Sequence, residues 1–549
     1  MNKKTAARQN FMHGAAILTV GVVIMKILGA VYKIPLGSIL GDYGYGIFIA
    51  TYTVYNIFFT LSTSGMPVAI SRLIAEADAN GRRKQEEKTF RAAVLTFAVI
   101  GIIFSTVMFF GNQWLAEKYL HKPEAAMSVR AMSPAILLVC LVSAYRGYCQ
   151  GNGNMIPTTV DEVLEVLFKV ISGLVIAGIL VKTGHGLPAA SAGAILGVSI
   201  GSVVSLTYMI LYRRKNYSQL AASYTAKIHD PNDTPDDDDI ADPMREIVKN
   251  ILKIGIPISL GASIMAILTS LDPGICQSRL EAAGYSAYES GVLYGIYAKV
   301  QTLFNLPAAF MTPLTIAIVP AVAAAIAKGN RKEAARNSED AMRIASVISM
   351  PMGAGLSVLA YPIVNVLYPN SNEAGPGLLS IMGVASFFVC IVLMENAILQ
   401  ASGKERLPMY AMVSGSVVKI IINYIIIANA SINIYGAPIG TLIGYLWMAV
   451  MDYIFIRKSL QMKPGIVSVM LKPLACSLLM ALAAKGGYLL AGIMLGTETK
   501  IAMLLCMAIG IIVAIVVYAV AIISLRSVTA DDMKLIPGGE KVAKLLHMH

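Results

Sequence analysis

Apolar runs of about twenty residues, split by short polar loops, follow one another from Gly14 to Leu525. A run of that length crosses a bilayer core of about 30 Å as an α-helix. Backbone polar groups cannot go unpaired in hydrocarbon, so each run is expected to be helical. The pattern predicts spans over 13–35, 45–69, 91–111, 127–146, 158–181, 188–212, 248–271, 291–321, 341–361, 378–400, 408–429, 436–456, 467–492 and 501–525. That makes an all-α integral membrane protein with about fourteen transmembrane helices.

The loops between these spans alternate in charge. Basic clusters stand at Lys3/Lys4/Arg8, Arg82/Arg83/Lys84/Lys88, Arg213/Arg214/Lys215, Lys328/Arg331/Lys332, Lys404/Arg406, Arg457/Lys458 and Arg526/Lys534. With fourteen spans they all lie on one side, roughly thirty Lys and Arg against about seven on the other. The positive-inside rule then puts both termini in the cytoplasm.

The pattern also repeats. Tyr45-Gly46-Ile47-Phe48 returns as Tyr294-Gly295-Ile296-Tyr297, and Asn56 returns as Asn305. Gln150, Gly153 and Lys169 return as Gln400, Gly403 and Lys419, all about 250 residues apart. Six spans per half is an even number, so the repeats are parallel. The expected organisation is an N-lobe over 1–212, an acidic linker over 213–246, a C-lobe over 247–460, and two added spans with a tail over 461–549. The linker holds two prolines and six aspartates within His229–Asp239, a solvated composition without the spacing of a calcium loop.

Composition narrows the function classes. Hydrophobic residues are 56% and charged residues 14% of 549, where soluble chains carry about 25% charged. The net charge of +12 is accounted for by the loops, and no basic face with interleaved aromatics points to nucleic acid. The six cysteines form no CxxC, and there is no GxxxxGK[ST], HExxH or GxSxG. Neither an enzyme nor a cofactor or metal site is expected.

Tyr145-Arg-Gly-Tyr-Cys-Gln-Gly-Asn-Gly-Asn-Met-Ile-Pro157, then Glu165 and Lys169, resembles the stage V sporulation protein B branch of polysaccharide transporters. Asn305-Leu-Pro307 and Ile318-Val-Pro320 resemble its eighth span. Lys26-Ile-Leu-Gly29, then Gly41 and Asp42, resembles the first span of MurJ-type lipid II flippases. Both belong to the multidrug/oligosaccharidyl-lipid/polysaccharide (MOP) exporter superfamily. The resemblance implies two pseudo-symmetric six-helix lobes around a central cavity that opens alternately inward and outward. It implies a lipid-linked saccharide substrate, most often the undecaprenyl-diphosphate-linked peptidoglycan precursor, with the polyprenyl tail left among membrane lipids. The chain departs from the flippase pattern at Tyr32 and Lys33, where an arginine and an acid would fall.

Several intramembrane residues are candidates. A lysine at the centre of a span costs about 2.5–3.5 kcal/mol, so Lys26 is expected to face a cavity or a partner. It offers a point charge to a diphosphate headgroup, or pairs with an acid of another span. Lys299 either holds the same headgroup or snorkels to the outer interface. Arg72 lines a cavity mouth or pairs with Glu76 one turn on. Asn56 and Asn305 bind sugar hydroxyls or hydrogen-bond neighbouring helices. Glu165 is expected to pair with Lys169, and Glu395 with Lys419; either acid is also a candidate for ion coupling.

The leading expectation is a flippase carrying lipid II from the inner to the outer leaflet, with cell-wall synthesis proteins as partners. The alternatives are a cation-coupled multidrug exporter of the same superfamily and a non-transporting scaffold of a cell-wall synthesis complex.

Overall fold

A computed structural model of the chain describes residues 3–80, 82–225, 241–460, 465–525 and 527. The expectations for the side chain of Lys26, for linker residues 226–240 and for Arg526 and Lys534 lie outside the described residues. Within them every regular element is helical. The chain divides into two units, one of Met1–Leu40 with Gly44–Gly274, the other of Gly41–Tyr43 with Ile275–His549.

In chain order the longer helices begin with α1 (Lys3–Thr63), α2 (Met66–Ala79), α3 (Arg83–Phe110), α4 (Ala126–Gly151), α5 (Ile156–Lys182), α6 (Leu187–Thr225) and α7 (Met244–Ala282). They continue with α8 (Ala287–Phe304), α9 (Leu306–Ala327), α10 (Arg331–Val358), α11 (Ala360–Leu367), α12 (Gly375–Ala401) and α13 (Arg406–Ile426). The last are α14 (Gly436–Leu460), α15 (Ile466–Leu495) and α16 (Lys500–Ser524).

Twelve helical stretches among the described residues are long and apolar enough to cross a membrane. The count differs from the sequence expectation at two places. Spans 13–35 and 45–69 run together in α1, interrupted at Gly41, whose φ of 64° leaves the helical region. Span 291–321 is cut at Asn305 into α8 and α9, with Pro307 entering the first turn of α9. Neither piece is among the twelve stretches found in the described residues.

Lipid tails are as apolar as leucine, so helices in a membrane associate through close packing rather than the hydrophobic effect. In the first unit α5 and α6 show this. A Cβ on Gly197 would stand 2.7 Å from the backbone nitrogen of Gly173, and one on Gly201 would stand 2.4 Å from the carbonyl oxygen of Glu165. Glycine at 197 and 201 is therefore what brings the two helices together. Tyr32 closes α1 onto α6 by donating to the Ala194 carbonyl at 3.1 Å. The Gly65 amide donates to Ser259 of α7 at 3.1 Å.

In the second unit α12 is central and packs against α9, α10 and α14. Met311, Met342, Cys390, Met394 and Met448 lie in its core. The last two helices pack against each other, and Tyr518 of α16 donates to the Val347 carbonyl of α10 at 2.6 Å. Helix starts are fixed locally. Ser286 and Glu289 form a reciprocal capping box ahead of α8, and hydrogen bonds from Ser286 hold the Glu289 carboxyl below its ordinary range.

Candidate functional site

Three charged groups are built into the helical units. The first comes from the α4–α5 hairpin, where the short turn at 152–155 sets the end of α4 beside the start of α5. Asp161, Glu162 and Glu165 share one face of α5 by their spacing. Arg146 of α4 meets all three: its Nη2 lies 2.9 Å from Asp161 Oδ2 and 2.9 Å from Glu165 Oε2, and its Nη1 lies 3.6 Å from Glu162 Oε1. The glycine contact at Gly201 brings α6 close enough for Ser205 to donate to Asp161 Oδ2 at 2.8 Å and Ser202 to Glu165 Oε1 at 3.4 Å. Asp161 is fully buried, and its Oδ1 meets no protein partner. One guanidinium thus faces three carboxylates, which leaves the group an acceptor for a proton or a small cation. The expected Glu165–Lys169 pair is not formed. Arg146 can serve Asp161 and Glu165 through one fork, whereas an isolated i,i+4 pair gains only about 0.2–0.5 kcal/mol.

The second group lies in the unit that contains Gly41–Tyr43. Lys299 of α8 is 2% exposed, and its Nζ donates to Asp42 Oδ1 at 2.6 Å and to Ser371 Oγ at 3.0 Å. Asp42 Oδ2 accepts from the Asn372 amide at 2.7 Å. The Tyr368 ring stands 5.1 Å from the ammonium. Gly295, one turn before Lys299, admits the Asp42 backbone, since a Cβ there would fall 1.8 Å from the Asp42 carbonyl oxygen. The ammonium is therefore enclosed and does not snorkel to an interface.

The third group is a carboxylate pair in the core of the second unit. Glu395 of α12 is 2% exposed and Asp452 of α14 is 0% exposed. Apolar neighbours Met394, Ile398, Met448 and Ile456 belong to one cluster around them. Glu395 Oε2 and both oxygens of Asp452 meet no protein partner. No ion pair joins Glu395 to Lys419 among the described residues, because Lys419 packs against Gly444 two turns of α14 away from Asp452.

The remaining candidates fall elsewhere. The Arg72–Glu76 pair read from the spacing is not formed: both side chains are exposed, where such a pair gains at most about 1 kcal/mol. Asn56 is exposed in the first unit. Asn305 is exposed in the second, where its Nδ2 donates to the Gln301 carbonyl at 2.7 Å and helps end α8. Outside the spans, Lys122 is 2% exposed just before α4, and burial pushes its ammonium down to about 7. Sequence reasoning missed Arg146, Asp42 and Asp452 as partners. The signal for Arg146 was there: a lone arginine ending one apolar run, with three acids opening the next.

Comparison with known proteins gives these features a setting. The polysaccharide biosynthesis protein family model matches residues 11–326, and the MatE family model matches residues 295–425. Stage V sporulation protein B of Bacillus subtilis (strain 168) is 23% identical over 535 residues, 97% of this chain and 98% of that one. Lipid II flippase MurJ of the same organism is 24% identical over 459 residues, 81% of this chain and 82% of that one. The solved structure of lipid II flippase MurJ in an inward closed conformation superposes with a TM-score of 0.66 at 15% identity, covering 93% of this chain and 99% of that one. The helical fold with charges held inside it is that of a multi-pass membrane transporter of the MOP superfamily. Within that class the chain belongs to the polysaccharide biosynthesis protein family.

Proposed function

We propose that the chain is a flippase moving an undecaprenyl-diphosphate-linked saccharide, foremost the peptidoglycan precursor lipid II, from the inner to the outer leaflet by alternating access. The observation that carries this reading is similarity over nearly the full length of both chains to the stage V sporulation protein and, in fold, to lipid II flippase MurJ. The proposed lobes are 1–212 and 247–460, joined by the acidic linker, with 461–549 as the addition. Both termini are assigned to the cytoplasm on the basic loops.

Lys26 is assigned the diphosphate headgroup, with Arg72, Asn56 and Asn305 as further substrate contacts. Lys299 adds positive charge on the C-lobe side and is held by Asp42 in this conformation. An anionic headgroup moving outward gains about 2.3 kcal/mol per charge per 100 mV, so membrane potential alone would drive it. Coupling to a proton or sodium ion through Glu165 or Glu395 would add to that drive. The chemistry is translocation, with no covalent step.

A second reading, a cation-coupled multidrug exporter, is favoured by the MatE match over 295–425. Rescue of a bacterium depleted of its essential lipid II flippase separates the two. Growth with the wild type and lysis with Lys26→Ala, at equal membrane expression, is the expected result. Lysis with both would move the substrate to another class.

A further inference from the structure

Arg245, Lys249 and Lys253 stand four residues apart near the start of α7, a spacing that sets them one above another on one helix face. With Leu252, Ile256 and Pro257 they line a cleft of about 520 Å³. None of the three cations is in an ion pair with a described residue, and no acidic side chain is among the described residues lining the cleft.

Further along the same face the polarity changes. Ile256, Leu260, Ile264 and Ile267 are 43%, 55%, 44% and 42% exposed. From Lys253 to Ile267 the helix rises about 21 Å, enough to cross one leaflet's share, about 15 Å, of a 30 Å hydrocarbon core. One face therefore presents positive charge with no ion-pair partner among the described residues, and then exposed apolar surface for the depth of a leaflet. That sequence of surfaces complements an amphiphile with an anionic head.

We propose that this face of α7 binds an anionic phospholipid of the surrounding leaflet. Its phosphate lies among Arg245, Lys249 and Lys253, and an acyl chain runs along Ile256, Leu260 and Ile264. Lysine and arginine grouped at a helix end attract anionic headgroups in this manner. A free phosphate would leave the apolar continuation uncovered. A lipid-linked saccharide would need amides or hydroxyls to read its sugars, and the cleft's described lining has none. The site does not depend on the flippase reading.

The test uses the full-length protein purified in detergent, with dioleoylphosphatidylglycerol and dioleoylphosphatidylcholine as probes and native mass spectrometry as the readout. The wild type is expected to retain phosphatidylglycerol at least ten-fold more tightly than phosphatidylcholine. Arg245→Gln/Lys249→Gln/Lys253→Gln is expected to lose that preference, and Lys249→Gln alone to lose about three-fold. Lys328→Gln/Lys404→Gln/Arg406→Gln removes the same charge elsewhere and is expected to keep it. Full preference in the α7 variants, or equal loss in the control, would overturn the site. Displacement of phosphatidylglycerol by ten-fold less undecaprenyl diphosphate would assign the cleft to a polyprenyl lipid and overturn the phospholipid assignment.

Discussion

Lys299 Nζ lies 2.6 Å from Asp42 Oδ1, an enclosed ion pair between residues 257 positions apart in the chain. The contact is complete on both sides: Ser371 takes a second bond from the ammonium, and the Asn372 amide serves the other carboxylate oxygen. Removing one partner strands a buried charge, which costs about 3–5 kcal/mol, while removing both strands none. Lys299→Met and Asp42→Asn are each expected to lower thermal stability in detergent. The double variant is expected to recover part of the loss, with a coupling above about 1 kcal/mol. Strictly additive losses would mean that the two side chains act independently.

Arg146 answers three carboxylates at once, so its loss reaches further than one pair. Arg146→Ala is expected to destabilise by at least about 3 kcal/mol, because Asp161 and Glu165 lose their shared donor. Arg146→Lys restores charge without the planar fork and is expected to fall between. The melting temperature by intrinsic fluorescence checks both. Equal stability of the alanine and lysine variants would mean that fork geometry contributes nothing.

Gly201 meets the Glu165 carbonyl so closely that a methyl group has no room. Gly201→Ala is expected to cost about 1–3 kcal/mol by overpacking. Gly178 lies on α5 with nothing within 4 Å of an added Cβ. Gly178→Ala is expected to be neutral or to gain about 0.4–1 kcal/mol through lower unfolded-state entropy. Matching melting curves for the two variants would contradict glycine-mediated packing of α5 on α6.

Lys122 supplies a pH signature outside the membrane. Its folded-state value is pushed down to about 7 by burial, whereas lysine in an unfolded chain titrates near 10.4. Between about pH 7 and 10 the unfolded state binds more protons than the folded state, so stability from this group rises with pH across that window. Below pH 7 the group is protonated in both states and its full cost is present. Lys122→Met is expected to flatten the rise in melting temperature between pH 7 and 10 and to raise stability at pH 6. An unchanged slope would place the pH dependence in other groups.

The all-helical, membrane-spanning character was legible because it rests on period and composition, which the bilayer imposes on every segment. Lys169 and Lys419, matched by their spacing, each stand against a glycine of the following helix, Gly197 and Gly444. The partners of the charges were not legible. Local spacing favoured Glu165 with Lys169, but the guanidinium of Arg146 arrives from another helix. Asp42 and Lys299 are joined only through the fold, and Asp452 gave no sign of facing the core beside Glu395. The helix breaks were not legible: the one ahead of Pro307 falls inside a continuous apolar run, and the one at Gly41 depends on a positive φ that sequence only permits.

Glu395 and Asp452 pose the sharpest functional question. Both sit in apolar surroundings with carboxylate oxygens that no protein donor reaches. An isolated ionised carboxylate is too costly there, so the pair requires a proton or a cation as its partner. If that partner is the coupling ion, neutral amides take over its electrostatic role and abolish the dependence. Glu395→Gln and Asp452→Asn are each expected to leave the protein folded and to remove any sodium or pH dependence from transport in proteoliposomes. Dependence on membrane potential is expected to remain. A sodium and pH profile identical to the wild type in both variants would assign the pair a purely structural proton and leave potential as the driver.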